Sequence, residues 1–202
     1  MTNVADMTNR GKETREAILR SARKELTESG ILGLRVAEVA NGANTSITSL
    51  YRLFGDRDGL LAQVLGDIME EIIEATVGRF RSAIASRTNM TIEELVSYLP
   101  FGSAFEALNN KFRLQVLAAA TENALLQARL RQVFSRRLDL WHEVLAEAQA
   151  RMAPEERFDE RIFEGILFDL MPYASVYLGD RKMSHDSLMA LFAEKLRVTP
   201  AS

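Results

Sequence analysis

Only four prolines (Pro100, Pro154, Pro172, Pro200) and eleven glycines interrupt the 202-residue chain, and the stretches between them are rich in Ala, Leu, Glu and Arg. With so few breakers, and with apolar residues recurring at helical intervals, the sequence predicts an all-α fold. Ile18, Leu19, Ala22 and Leu26 fall on one helical face, and Gly30 follows as a C-terminal stop. Segments with strand-like alternation are missing.

Start and stop signals place the later helices. Asp56 opens one that carries Leu60, Leu61, Val64, Leu65, Ile68 and Ile72 and extends towards Phe80, and Thr91 with Glu94 forms a capping box for the next. A long helix is expected from about Asn123 to Met152, ended by Ala153-Pro154. Two more are expected, from Asp159 to about Leu178 and from Ser184 to about Val198, for about nine helices in total.

The formal charge of −3 argues against a chain that coats nucleic acid through a globally basic surface. The charge is unevenly distributed. Residues 1–65 hold nine Lys and Arg against eight Asp and Glu, so the acidity lies in the remainder. Within the first 24 residues Arg10, Lys12, Arg15, Arg20, Arg23 and Lys24 face only Asp6, Glu13 and Glu16, a mildly basic leading arm. No cysteine is present to form a disulfide or a thiolate metal site. No basic-plus-apolar leader and no apolar run of about 18 residues is seen, so the expected location is the cytoplasm, with no membrane partner.

Residues 36–53 read as two short helices joined by a tight turn. Val36, Val39 and Ala40 give the first helix an apolar face. Asn44 suits the left-handed conformation of the turn, and Leu50 and Leu53 return the second helix to the core. The second helix then presents Ser46, Ile47, Thr48, Ser49 and Arg52 outward. Short hydroxyls at a helix start cap it and donate to phosphate, and side chains at 47, 48 and 52 are placed to reach base edges in a major groove. Spacing alone leaves two readings open, a DNA-binding helix-turn-helix and a plain helical hairpin with a Ser/Thr cap.

The order of Thr14–Gly30, Leu34 to Ala40, Thr45-Ser46, Ser49-Leu50-Tyr51-Arg52-Leu53-Phe54 and Asp56-Arg57-Asp58-Gly59-Leu60-Leu61 resembles the TetR family of bacterial one-component transcriptional regulators. The resemblance covers about residues 14–65. It implies an arm at 1–13, a three-helix DNA-binding domain at 14–60 with its helix-turn-helix at about 34–53, and a larger helical effector-binding and dimerisation domain at 61–202. It further implies a homodimer on a palindromic operator, released when a small molecule enters the C-terminal domain. Position by position, it assigns Ser46, Ser49, Tyr51 and Arg57 to phosphate and Ile47, Thr48 and Arg52 to bases. Arg35 stands where the family usually has Ser or Thr, and it would reach a phosphate directly. Asn44 replaces the commoner Gly, and Thr45, also expected at the DNA surface, the commoner Val.

Between Gly165 and Gly179 the only charge is Asp169, so the helix there needs cover on two sides. Ile166, Leu170, Tyr173 and Tyr177, with Leu188, Leu191, Phe192 and Leu196, are the candidate dimer face, the alternative being a central core helix of a monomer. The candidate effector wall is Tyr98, Phe101, Phe105, Phe112, Phe134, Trp141 and Met171. Arg137 falls inside an otherwise apolar arc of Leu130, Val133, Phe134, Trp141, Val144 and Leu145. It has two readings, a snorkelling or ion-paired residue with Asp169 or Glu106 as partner, and a clamp on a lipophilic anionic effector.

Enzyme chemistry finds little support. His142 and His185 belong to no metal-binding spacing, there is no Gly-rich phosphate loop or Gly-x-Ser-x-Gly elbow, and no cofactor is expected. The reading from another class is an all-α protein-interaction module that keeps the helix-turn-helix shape without binding DNA.

Overall fold

Gly30 takes φ 71° and ψ 177°, a conformation open to glycine, and interrupts the first helix where the sequence placed a stop. In the computed structural model, which describes residues 9–99 and 104–158 together with Ala190, Ala193 and Glu194, seven α-helices follow one another. They are α1 (Asn9–Gly33), α2 (Val36–Gly42), α3 (Ile47–Phe54), α4 (Arg57–Ile84), α5 (Ile92–Ser97), α6 (Ala104–Glu122) and α7 (Ala124–Gln149), followed by a 3-10 turn at Pro154–Glu156. The fold is all-α. The expected helix from Asp159 lies outside the described residues, and so does the last one except for Ala190, Ala193 and Glu194, which are helical; the candidate dimer residues Ile166, Leu170, Tyr173, Tyr177, Leu188, Leu191, Phe192 and Leu196 also lie outside them.

The chain forms two compact units, Met1–Met69 with Gln115–Val133, and Glu70–Leu114 with Phe134–Ser202. The boundary expected near residue 60 falls inside α4, and the first unit takes in a segment more than forty residues further along.

In the first unit α1, α2 and α3 pack on one another. Their core holds Ile18, Ala22, Leu34, Val39, Ala40 and Leu50, joined by Leu60, Leu61, Val64 and Leu65 of α4. The expected apolar positions Ile18, Ala22 and Leu26 of α1 and Leu60, Leu61, Val64 and Leu65 of α4 are buried, whereas Leu19, Ile68 and Ile72 are half-buried and the buried row of α4 continues through Met69, Ile73, Val77 and Phe80. Asp56 caps α4 by accepting from the Gly59 N–H at 2.7 Å. A β-carbon at Gly59 would overlap the carbonyl oxygen of Phe54, so the close approach between the end of α3 and the start of α4 requires glycine. From the later segment Val116, Leu126, Leu130 and Val133 are buried. Asn123 caps α7, accepting from Leu126 N–H at 2.8 Å, while its amide donates to the carbonyl of Asp58 at 3.1 Å. Arg129 pairs with Asp67 at 3.1 Å.

In the second unit Phe80 and Trp141 pack as a tilted pair, centroids 5.2 Å apart, amid buried Val77, Ile84, Val144 and Leu145. The capping box at α5 forms as expected, Thr91 Oγ1 accepting from Glu94 N–H and Glu94 Oε2 from Thr91 N–H, both at 3.2 Å. The carboxylate of Glu156 adds a third acceptor, 3.1 Å from Ile92 N–H. Around this start Met90 pairs backbone to backbone with Arg151 and Ala153. Arg81 bridges to Glu143 and Glu147, and Arg136 to Glu70 and Glu74, tying α4 to α7 within this unit.

Candidate nucleic-acid interface

The turn between α2 and α3 closes through backbone bonds from Ala43, Asn44 and Thr45 N–H to the carbonyls of Val39, Asn41 and Ala40, each 3.0 Å. Asn44 takes φ 51°, the left-handed conformation its short polar side chain tolerates. Ser46 then sits extended as the N-cap of α3. Its Oγ accepts from the Ser49 N–H at 3.1 Å and donates to Ser49 Oγ at 3.0 Å.

Along α3 the burial divides cleanly. Leu50 is fully buried and Leu53 and Phe54 are half-buried, whereas Ile47, Thr48, Tyr51 and Arg52 make one exposed face. Ile47 and Tyr51, one turn apart, each expose 42% of their surface. Ser49 and Thr45 are half-buried beside the cap. Two hydroxyls at the helix start, an aromatic phenol, and a guanidinium one turn on can contact backbone phosphate and base edges together.

Arg15 holds α3 from behind, its guanidinium carbon 5.4 Å from the centre of the Phe54 ring. Other bases of the arm pair along α1, Arg20 with Glu16 at 3.9 Å and Lys24 with Glu28 at 3.8 Å. Arg35 is the N-cap of α2, extended and without a side-chain cap bond, as its lack of an acceptor requires. Its Nε lies 3.7 Å from the Glu25 carboxylate, which is buried while Arg35 is exposed. Nothing in the sequence pattern pointed to this pairing.

Arg57 stands apart from the others. Its Nε donates to the Leu34 carbonyl at 3.3 Å, and its Nη2 to those of Ile31 and Leu32 at 3.0 and 3.4 Å. The side chain expected to hold a phosphate is half-buried and folded onto the end of α1 and the residue that follows it.

Of the candidate effector residues, Tyr98, Phe112, Phe134, Arg137 and Trp141 are among those described. Phe101 and Met171, and the side chain of Phe105, lie outside what the structure describes. Trp141 is buried against Phe80, Tyr98 carries the Arg87 guanidinium over its ring at 5.3 Å, and Phe112 is half-buried. Phe134 and Arg137 do meet, with the guanidinium carbon 4.9 Å above the ring centre. A cavity of about 520 Å³ opens in the first unit, between the end of α1, the start of α4 and the end of α6. Of the residues expected from the sequence to contact DNA or an effector, only Arg57 lines it.

Residues 18–64, which span this arrangement, match the family model of bacterial regulatory proteins, tetR family. This segment, about a quarter of the chain, is similar to the N-terminal region of that family. Its fold extends to whole solved chains. A protein assigned to the TetR family of transcriptional regulators from Rhodococcus sp. superposes with a TM-score of 0.61 at 20% identity, covering 94% of this chain and all of its own. Another from Mesorhizobium loti gives 0.58 at 17% identity, covering 95% and 96%. The fatty acid degradation regulator FadR from Bacillus halodurans gives 0.51 at 16% identity, covering 95% and 96%. No curated protein matches the sequence. Among the described residues, no helix is long and apolar enough to cross a membrane.

Proposed function

We propose that this TetR-type regulator is a cytoplasmic homodimeric repressor that binds a palindromic operator and leaves it when a small molecule binds. The observation that carries the reading is the exposed face of α3, where Ile47, Thr48, Tyr51 and Arg52 stand clear of the core on a helix whose start is fixed by Ser46. Thr48 and Arg52 select bases, while Ser46, Ser49, Thr45 and Tyr51 locate the helix against phosphate. Arg35 joins them by exchanging Glu25 for a phosphate. Arg57 acts one step back, holding the loop that leads into α2.

The arm at 1–13, the DNA-binding domain at 14–60 and the remaining effector-binding and dimerisation domain keep the roles given above, with Ile166, Leu170, Tyr173, Tyr177, Leu188, Leu191, Phe192 and Leu196 at the dimer face. One recognition helix per half-site then explains how a domain with a small local excess of base reaches useful affinity, because two matched contacts act on one palindrome. To relieve repression an effector need favour the non-binding conformer by only a few kcal/mol.

Fluorescence anisotropy with DNA flanking the chain's own gene tests this. A salt-sensitive complex that discriminates a palindrome from its scrambled form is expected, and Thr48→Ala and Arg52→Ala should narrow the discrimination. Absence of any such complex at every salt concentration would replace this reading with the protein-interaction module. The internal pairing of Arg35 and Arg57 is the feature that favours that module.

A further inference from the structure

We propose that the cavity between the end of α1, the start of α4 and the end of α6 binds a small organic cation with an apolar body. Its volume of about 520 Å³ is in the range of small-molecule pockets. Ile31, Leu61, Ala118 and Ala119 give it apolar lining, and Leu61 is buried. Leu32, 96% exposed, also lines it.

Charge decides the class of ligand. Asp58 and Glu122 line the cavity and are exposed, and among the described residues neither has an ion-pair partner. Glu122 is moreover the last residue of α6, at the negative end of the helix dipole, where a cation is the favoured neighbour. Arg57, the one base in the lining, directs Nε and Nη2 at the carbonyls of Leu34, Ile31 and Leu32. The side-chain groups left to meet a ligand are thus predominantly acceptors. The site is separate from the Phe134–Arg137 pair and stands whether or not the chain binds DNA.

Isothermal titration of the full chain with tetraphenylphosphonium, and with the near-isosteric anion tetraphenylborate, isolates charge from shape. Saturable binding of the phosphonium is expected, at least about tenfold tighter than the borate. The double variant Asp58→Asn, Glu122→Gln alters exposed side chains only and should remove most of that preference. Ala119→Trp should abolish binding of both ions by filling the cavity, with helical circular dichroism confirming that it folds. Equal binding of the two ions, binding untouched by both variants, or no heat with either ion would overturn the proposal.

Discussion

The side-chain amide of Asn123 joins two helix starts, donating to the Asp58 carbonyl in the first turn of α4 while its oxygen receives the Leu126 N–H of α7. Asn123 is buried, so neither bond is readily replaced by water. Asn123→Ala is expected to cost about 1–3 kcal/mol, because it removes a cap and orphans a carbonyl. Asn123→Ser restores an acceptor for α7 without the reach to Asp58, and should recover about 1 kcal/mol of the loss. Urea denaturation of the three proteins at constant slope measures both steps.

For Arg57 the geometry separates two roles that share one phenotype. If the guanidinium serves the carbonyls of residues 31, 32 and 34, Arg57→Ala should lower the denaturation midpoint and weaken DNA binding without altering the dependence of log affinity on log salt concentration. A phosphate contact would instead reduce that slope by about one. Anisotropy titrations at four or five salt concentrations decide between them.

Two glycines in α4 offer an internal comparison. Gly59→Ala forces a β-carbon into the Phe54 carbonyl and is expected to destabilise the fold by about 1–3 kcal/mol, since backbone must shift to admit it. Gly78 has open space around the same position, so Gly78→Ala should stabilise by about 0.5–1 kcal/mol through helix propensity. Thermal melts of the two variants should move in opposite directions.

Trp141 is the chain's single tryptophan and is 3% exposed. Its emission should be blue-shifted in the native protein and move to the red on unfolding. Trp141→Ala, which empties the space against Phe80, should cost about 3–5 kcal/mol. A marginal loss of stability would show that the indole lines a collapsible cavity instead of filling a core.

What was legible in the sequence is what depends on neighbours along the chain. The stop at Gly30, the left-handed turn at Asn44, the Thr91–Glu94 box and the caps by Asp56 and Asn123 rest on groups a few residues apart. Burial on α7 followed the apolar arc for the same reason, Leu130, Val133, Trp141, Val144 and Leu145 all turning inward. Contacts between distant residues left no such trace. The binding of Arg57 to loop carbonyls, the pairing of Arg35 with a buried Glu25 and the cap that Glu156 lends to α5 join positions whose types fit many other partners equally well. The exposed face of α3 lies between these cases, because its outline follows from Leu50 and Leu53, whereas the company it keeps does not.

The composition of the first compact unit bears on protein engineering. Regulators of this architecture invite chimeras in which one DNA-reading head is exchanged for another at a cut near residue 60. Here such a graft would leave behind residues 115–133, whose Leu126, Leu130 and Val133 are buried and whose Asn123 and Arg129 reach Asp58 and Asp67. The incoming head would meet side chains fitted to a different lodger. A transplant that works needs two pieces, with the second carried over together with the first.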